Sequence, residues 1–295
     1  MTVPTHASIA ALKGTLRYVR AYRDRVFVVK LGGEVMADPA ALDGGAAQVA
    51  LLSSLSIRVV VVHGGGPQAT ALQKRLGLET RMVAGRRFTD EATLEVMKQI
   101  VAGKVNVDVC ARLVRHGVLG VGLHGASALA VAARRRPPRV MAGAGPDPVD
   151  LGLVGDVVGF NLPLLGDLWA RGYVPVLACL GCDEKGQVLN INGDTVASQL
   201  AGALRADALV LATSAPGVLR DVADPSSRIP RITRAEFDRA VADGSISGGM
   251  IPKLEESFEV LSEGARSVVI VGKLVPGDLV RAVLEPGSIG TSLVA

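Results

Sequence analysis

At 295 residues, with 49% hydrophobic and 20% charged side chains, the chain can bury a large core, which excludes global disorder. Aromatic residues are only 3%, which argues against a stacking surface for single-stranded nucleic acid, and the net charge of +4 is mild and compatible with small anionic substrates. Three cysteines at no framework spacing point to a reducing, cytoplasmic setting, and no secretory leader or membrane span is expected from the apolar patterning.

In chain order, Leu12, Leu16, Val19 and Tyr22 predict an amphipathic helix over Ile9 to Asp24 with a basic face of Lys13, Arg17, Arg20 and Arg23. It must pack back on the core or on another subunit. The run Val26 to Val29 predicts a strand buried on both faces, which delivers Lys30 and the pair Gly32-Gly33 at its C-terminal end. A lysine there needs an anionic partner, and glycines let backbone N–H groups approach a ligand. A helix over Pro39 to Ser54 leads to a second strand, Ile57 to His63, which ends in Gly64-Gly65-Gly66. Pro67 then opens a helix to about Leu76, whose free N–H groups face the glycine turn. Ligands of open α/β sheets lie outside the carboxyl ends of the strands. Two neighbouring strands ending in glycine therefore predict one anion-binding crevice.

Val83 to Asp90 is read as a loop, with Thr89 or Asp90 capping a long helical segment to about His116 that Gly103 is placed to interrupt. Val118 to Leu123 and Leu129 to Ala133 are expected as strands joined by His124 to Ser127. Arg134, Arg135, Arg136 and Arg139, set among Pro137 and Pro138, predict a solvated basic loop. A Gly-rich stretch over Ala142 to Gly145 precedes Leu151 to Val158, which predicts a β-hairpin flap outside the parallel sheet. Asn161 caps a helix to Arg171, and Val174 to Leu180 is another buried strand. Cys179 and Cys182 are read as two thiols at its end rather than a metal or redox pair.

The second half is expected to begin near Gly181. It has a short strand over Gln187 to Ile191, a helix that Asp194 opens and that runs to about Leu204, and a strand Ala208 to Ala212 ending in Thr213 to Gly217. Thr233 to Glu236 is a capping box. Gly248-Gly249 precede a helix over Met250 to Glu263 that carries Lys253. A strand over Ser267 to Val271, a helix over Pro276 to Leu284 and a terminal turn over Ser288 to Thr291 complete the chain. Strands alternating with helices predict an α/β fold with a central, mostly parallel open sheet covered on both faces. No G-x-x-x-x-G-K-[ST] occurs, which excludes a P-loop, and no G-x-G-x-x-G follows a strand, so a Rossmann dinucleotide site is unsupported.

Lys30, Arg87 and Lys253 stand at element ends, and Asp194 closes the run Asn190 to Asp194. Phosphoryl transfer needs positioning and positive charge on the transferring oxygens rather than covalent help. Two lysines from opposite lobes would supply that charge, an aspartate between them would hold both, and the amides of Gly32, Gly33, Gly64 and Gly65 would bind the phosphoryl group. An arginine would fork onto a substrate carboxylate. His63 is read as ending its strand and orienting the glycine turn, since this chemistry needs no acid–base work from it.

Five motifs, Lys30–Gly33, His63–Gln68, Gly85–Asp90, Asn190–Asp194 and Gly248–Lys253, together resemble the amino acid kinase family, and within it the branch that phosphorylates acetylglutamate. Their order and spacing match from about Val26 to Thr291. The resemblance implies a three-layer αβα sandwich with an acyl-substrate lobe over 25–180 and a nucleotide lobe over 181–295. It implies transfer of the ATP γ-phosphoryl group to the γ-carboxylate of N-acetyl-L-glutamate, in arginine biosynthesis. That carboxylate is already ionised at neutral pH, so no base is required. Carried over by position, Lys30 and Lys253 would stabilise the transition state and Asp194 would organise them. Gly32, Gly33, Gly64 and Gly65 would contact the phosphoryl group, Arg87 and Asn190 would hold the acyl substrate, and Thr213, Gly217, Leu219, Gly249 and Gly290 would hold ATP. Mg2+ would travel on the nucleotide phosphates with no protein cage. Leu16 to Arg23 resembles the extra helix of arginine-inhibited members, in which it interlaces dimers into a hexamer, so the resemblance implies a homodimer or a homohexamer, with L-arginine as inhibitor.

The chain departs from the family pattern at His124–Ala128, where a lysine and an aspartate are replaced, at Ser214, where an acidic residue is lost, and at Arg86, which adds a charge. Two other readings stand beside the first: a kinase acting on aminoadipate or glutamate held by an acidic carrier protein, and a silent arginine-sensing domain. Retention of Lys30, Asp194 and Lys253 argues against silence.

Overall fold

In the computed structural model, which describes residues 19–20, 22–141, 145–246, 248–272 and 277–294, the apolar run at Val26 forms β1 (Val26–Leu31), buried from Phe27 onward. The N-terminal helix expected before it, with Lys13 and Arg17, falls largely outside the described residues. Within them, Val19, Arg20 and Tyr22 are helical, and Tyr22 meets Phe27 edge-on with ring centroids 5.9 Å apart.

β1 is flanked in parallel by β2 (Arg58–His63) and β11 (Ala208–Ala212). The eight-stranded sheet runs β12 (Arg231–Thr233), β14 (Thr291–Val294), β13 (Val268–Val271), β11, β1, β2, β8 (Val174–Ala178), β5 (Gly120–Leu123). Every neighbouring pair is parallel except β13 with β14. The central strands are continuous Val and Leu runs because both faces are covered. Leu31 and Lys30 show this directly. Leu31 packs against Gly45 of α2 (Pro39–Ser54), whereas its neighbour Lys30 pairs with Asp194 of α7 (Gly193–Ala203). Successive strand residues point to opposite faces, so α2 and α7 lie on opposite sides of the sheet. These are the three layers expected.

The remaining helices are α1 (Gly33–Ala37), α3 (Gly66–Arg75), α4 (Glu91–Met97), α5 (Asn106–Arg115), α6 (Leu162–Ala170), α8 (Arg234–Ala242), α9 (Met250–Ser262) and α10 (Asp278–Leu284). The capping box at Thr233 and the Asn161 cap of α6 both form. At α4 it is Asp90, not Thr89, that caps, accepting the Thr93 N–H at 2.8 Å. Gly103 does not interrupt the long helical segment. α4 passes into a π-helical stretch, Lys98–Val105, and then into α5 without a break.

The hairpin expected within Leu151 to Val158 does not form there: Gly155–Phe160 is a single strand outside the parallel sheet, and its antiparallel partner is Val131–Arg135. A second sheet of four strands runs β10 (Val188–Asn190), β9 (Leu180–Cys182), β6 (Val131–Arg135), β7 (Gly155–Phe160), and β3 (Met82–Val83) with β4 (Arg86–Arg87) adds a short hairpin. The basic run is solvated at Arg134, Arg135 and Arg139 but is not one loop. Arg134 and Arg135 are β6 residues opposite Asp156 and Gly155, and Arg136 is only 8% exposed, paired to Asp156 at 2.7 Å. The antiparallel register supplies the carboxylate that lets an arginine be buried. The strand expected over Val174 to Leu180 is two: β8 stops at Ala178 and β9 starts at Leu180 in the other sheet. The expected terminal turn gives way to β14 at Thr291.

Candidate active site

Leu31, His63, Ala178 and Ala212 stand in one register row at the carboxyl ends of β1, β2, β8 and β11. The next residues, Gly32, Gly64, Cys179 and Thr213, therefore rim one edge. β2 and β8 extend to one side of β1 while β11 and β13 extend to the other, and such a reversal of strand order is where open sheets take ligands. A cavity of about 270 Å³ opens there, lined among others by Lys30, Gly33, Gly64, Gly65, Arg87 and Asn190.

The charged centre is built from three elements. Lys30 rises from β1 and is 8% exposed. Asp194 stands in the first turn of α7, and the Asn192 side chain caps that helix by accepting the Asp194 N–H at 2.7 Å. The Asp194 carboxylate is thus left for other partners. Its Oδ1 lies 2.7 Å from Lys30 Nζ and its Oδ2 accepts from Lys253 Nζ, on α9, at 2.6 Å. Burial pushes the Asp194 carboxyl up, but the two ammonium groups outweigh it and hold the pKa at about 2. Two cations on one anion leave a net positive charge beside the glycine edge.

The glycines divide. Gly33 and Gly65 admit close packing: an added Cβ would come 2.6 Å from Pro67 Cδ at Gly33 and 2.9 Å from Val101 Cγ2 at Gly65. Gly64 lies against Gly193, whose added Cβ would sit 3.5 Å from Gly64 Cα. Gly32 is not the free donor that was expected, because its N–H is given to Ala212 O at 3.0 Å. Its lack of a side chain serves the close crossing of the β1 and β11 ends. Gly33→Ala should force Pro67 aside and cost about 1–3 kcal/mol, read as a lower melting temperature. An unchanged melting temperature would show that the helix starts can separate freely.

Arg87 reaches back onto α3, donating to Gly66 O at 3.0 Å, to Thr70 Oγ1 at 2.7 Å and to Gln73 Oε1. Burial lowers its pKa. Asn190 donates from Nδ2 to Thr89 Oγ1 at 3.0 Å, which ties β10 to the loop before α4. Thr89, Arg136 and Cys179 were not anticipated here. Arg136 and Cys179 line the cavity, and burial pushes the Cys179 thiol up to about 11. The signal for Arg136 was an acidic residue on the flap strand, Asp156, whose pairing depends on a register that the sequence does not display. Arg86 lines this cavity and a second of about 200 Å³ beside α9. The altered segment His124–Ala128 lines neither; it packs on β9, where Gly125 donates to Leu180 O at 2.7 Å.

The five residues expected to hold the nucleotide do not line the 270 Å³ cavity. Thr213 follows β11 and closes its own turn by donating from Oγ1 to Ala215 O at 3.0 Å. Gly217 and Gly290 are brought together: a Cβ at Gly217 would stand 3.2 Å from Gly290 C. Gly290, at φ +63°, fits against Ile270 O, which an added Cβ would approach to 2.1 Å. Leu219 bridges Arg228, and Gly249 precedes α9. Among the described residues no group of three or more His, Cys, Asp or Glu could hold a metal ion. Both Asp194 oxygens already face lysines.

His63 lies beneath the glycine turn. It is fully buried, and burial lowers its pKa to about 4, so the ring is neutral.

A model of the amino acid kinase family matches residues 25–272. The chain belongs to the amino acid kinase family. Within that family, an acetylglutamate kinase from Anaeromyxobacter dehalogenans (strain 2CP-C) is 78% identical over 269 residues, covering 91% of this chain and 99% of its own. An acetylglutamate kinase from Methanocaldococcus jannaschii is 37% identical over 283 residues, covering 96% and 94%. Among solved structures, an N-acetylglutamate synthase from Neisseria gonorrhoeae, complexed with coenzyme A and N-acetyl-glutamate, matches with a TM-score of 0.78 at 23% identity. The match covers 97% of this chain and 63% of that longer one, a likeness of fold alone. Membership of a kinase family implies ATP as phosphoryl donor. Among the described residues, no helix is long and apolar enough to cross a membrane.

Proposed function

We propose that the chain is an acetylglutamate kinase, transferring the γ-phosphoryl group of Mg-ATP to the γ-carboxylate of N-acetyl-L-glutamate in cytoplasmic arginine biosynthesis. The observation that carries this reading is the Lys30–Asp194–Lys253 bridge, which sets two ammonium groups, that of Lys30 buried and that of Lys253 partly so, beside a glycine-rimmed cavity. An oxygen of the substrate carboxylate attacks the γ-phosphorus while the bond to the β–γ bridging oxygen breaks. The electron pair leaves with ADP, and no proton moves.

Charge spreads onto the transferring phosphoryl oxygens and onto the bridging oxygen in the transition state. Lys30, from the first half of the chain, faces the former, and Lys253, from the second half, faces the latter. Asp194 keeps both in place, and the amides of Gly33 and Gly65 bind the phosphoryl oxygens, while that of Gly64 is given to Leu31 O at 3.5 Å. Arg87 and Asn190 hold the acetylglutamate, while Thr213, Gly217, Leu219, Gly249 and Gly290 shape the nucleotide side. The substrate lobe is then 25–180 and the nucleotide lobe 181–295. The high identity to acetylglutamate kinases favours free acetylglutamate over a carrier-linked acyl group. We also assign residues 1–24 to homo-oligomer contacts and to inhibition by L-arginine.

The test is ADP release from Mg-ATP with N-acetyl-L-glutamate, with and without L-arginine. Turnover that depends on acetylglutamate is expected, and arginine should suppress it. Turnover indifferent to arginine would remove the regulatory assignment alone. Absence of turnover, with arginine still binding by calorimetry, would replace the kinase by a sensing domain.

A further inference from the structure

We propose that His63 is a positioning residue: its Nδ1–H clamps the Gly64 carbonyl so that the Gly65 N–H faces the cavity, and Asn106 holds the ring in the tautomer able to do so. The inference rests on the phosphoryl-transfer reading and names a device that serves it.

The tautomer follows from the partners. His63 Nδ1 lies 2.9 Å from Gly64 O, and Nε2 lies 2.9 Å from Asn106 Nδ2. The same Asn106 nitrogen donates to Val176 O at 3.0 Å. A flipped amide would set its oxygen against that carbonyl, two acceptors in contact, so the nitrogen is the atom facing both. An amide nitrogen only donates, so Nε2 must accept and the proton must sit on Nδ1. The Gly64 carbonyl, an acceptor, demands the same. Both ends of the ring agree.

The clamp has a direction. His63 is in register with Leu31, and in-register neighbours share a face, so its ring lies on the α2 side, opposite Lys30 and Asp194. No cis peptide occurs among the described residues. In a trans peptide the C=O and the following N–H point opposite ways. Holding the Gly64 carbonyl down onto the ring therefore turns the Gly65 N–H up, toward the face that carries the lysines and the cavity that Gly65 lines.

Asn106 reaches the ring because of two features of the scaffold. Its N–H bonds to Val101 O, five residues back. That wide turn sets residues five apart near one face, whereas an α-helix would place them about 140° apart. Val101 thus supports Gly65 while Asn106 supports His63. The helix also lies close on β5: a Cβ at Gly122 would come within 1.9 Å of Asn106 Oδ1. The π-helical stretch and Gly122 acquire a shared purpose that neither has alone.

The experiment compares His63→Asn, His63→Gln and His63→Leu in the acetylglutamate-dependent ADP assay. An Asn amide nitrogen stands where Nδ1 stands, and a Gln amide nitrogen where Nε2 stands. Loss of the clamp in the Gln and Leu variants should lower kcat by about 10²-fold with KM for acetylglutamate little changed, and the Asn variant should recover most of the loss. A role in packing alone predicts the reverse ranking, because Gln and Leu match the ring volume better, and that ranking would overturn the proposal. Should the variants fail to fold, nitrogen-15 NMR of the wild-type imidazole decides: Nδ1–H with bare Nε2 is expected, and Nε2–H would refute it. A wild-type protein without kinase activity would sink the functional reading while leaving the tautomer measurement to stand or fall separately.

Discussion

Lys30→Ala should lower kcat for acetylglutamate phosphorylation by roughly 10²–10³-fold while leaving the KM of acetylglutamate nearly unchanged. The split follows from where the ammonium group is held. Lys30 is almost fully buried and locked 2.7 Å from Asp194, so it does not swing out to meet a ground-state substrate. Its charge acts on oxygens that gain negative charge only as the phosphoryl group transfers, and an interaction confined to the transition state appears in kcat. Lys253→Ala should behave alike, because its ammonium stands at the same distance scale on the other carboxylate oxygen, 2.6 Å away. Steady-state kinetics on both variants checks this. Unchanged kcat in either would remove that lysine from the chemistry, and a pure KM effect would make it a binding residue.

Asp194→Ala should be worse, because it damages the fold as well as the reaction. It leaves the buried ammonium of Lys30 and the partly buried one of Lys253 without their shared counter-ion. Removing one partner of a buried pair costs about 3–5 kcal/mol, and here one removal orphans two cations. The pH dependence carries the same signature. The Asp194 carboxyl titrates near 2 in the folded protein against an ordinary 3.8. A depressed carboxylate pKa contributes stability that is complete above the unfolded value and lost as pH falls through the folded one. Denaturant melts between pH 4 and pH 2 should therefore show an acid limb worth about 1.8 kcal/mol. Asp194→Asn, which cannot titrate there, should lack that limb. A wild-type and a variant that lose stability in parallel would show that Asp194 is not strongly coupled to the lysines.

Much of this was readable in one dimension because the relevant physics is local. Val26 to Val29 and Val59 to Val62 are runs that only a doubly covered strand can bury, and each ends in glycine where the chain must turn tightly against its neighbour. Thr233 to Glu236 declares its own capping box. The wrong readings share a different character. Arg136 looked like part of a solvated loop because its charge was weighed without Asp156, 20 residues away and brought within reach by the β6–β7 pairing. Gly103 looked like a break because single-residue propensity does not reveal a π turn, which trades helix regularity for tertiary contacts at Val101 and Asn106. Gly32 looked like a phosphate donor because nothing in the sequence says that Ala212 O is 3.0 Å away.

The sequence by itself determined the alternation of strands and helices, the glycine edges, and which lysines, aspartate and arginine were available for phosphoryl transfer. Those follow from periodicity, from turn chemistry and from the cost of burying a charge, all of which act over a few residues. Only the tertiary structure decided how the pieces meet. It joined Lys30, Asp194 and Lys253 from three distant elements into one bridge, gave Arg136 its carboxylate, and set Asn106 beneath His63. Such pairings depend on strand register and helix phase, and these are settled by the packing of the whole core rather than by any segment within it.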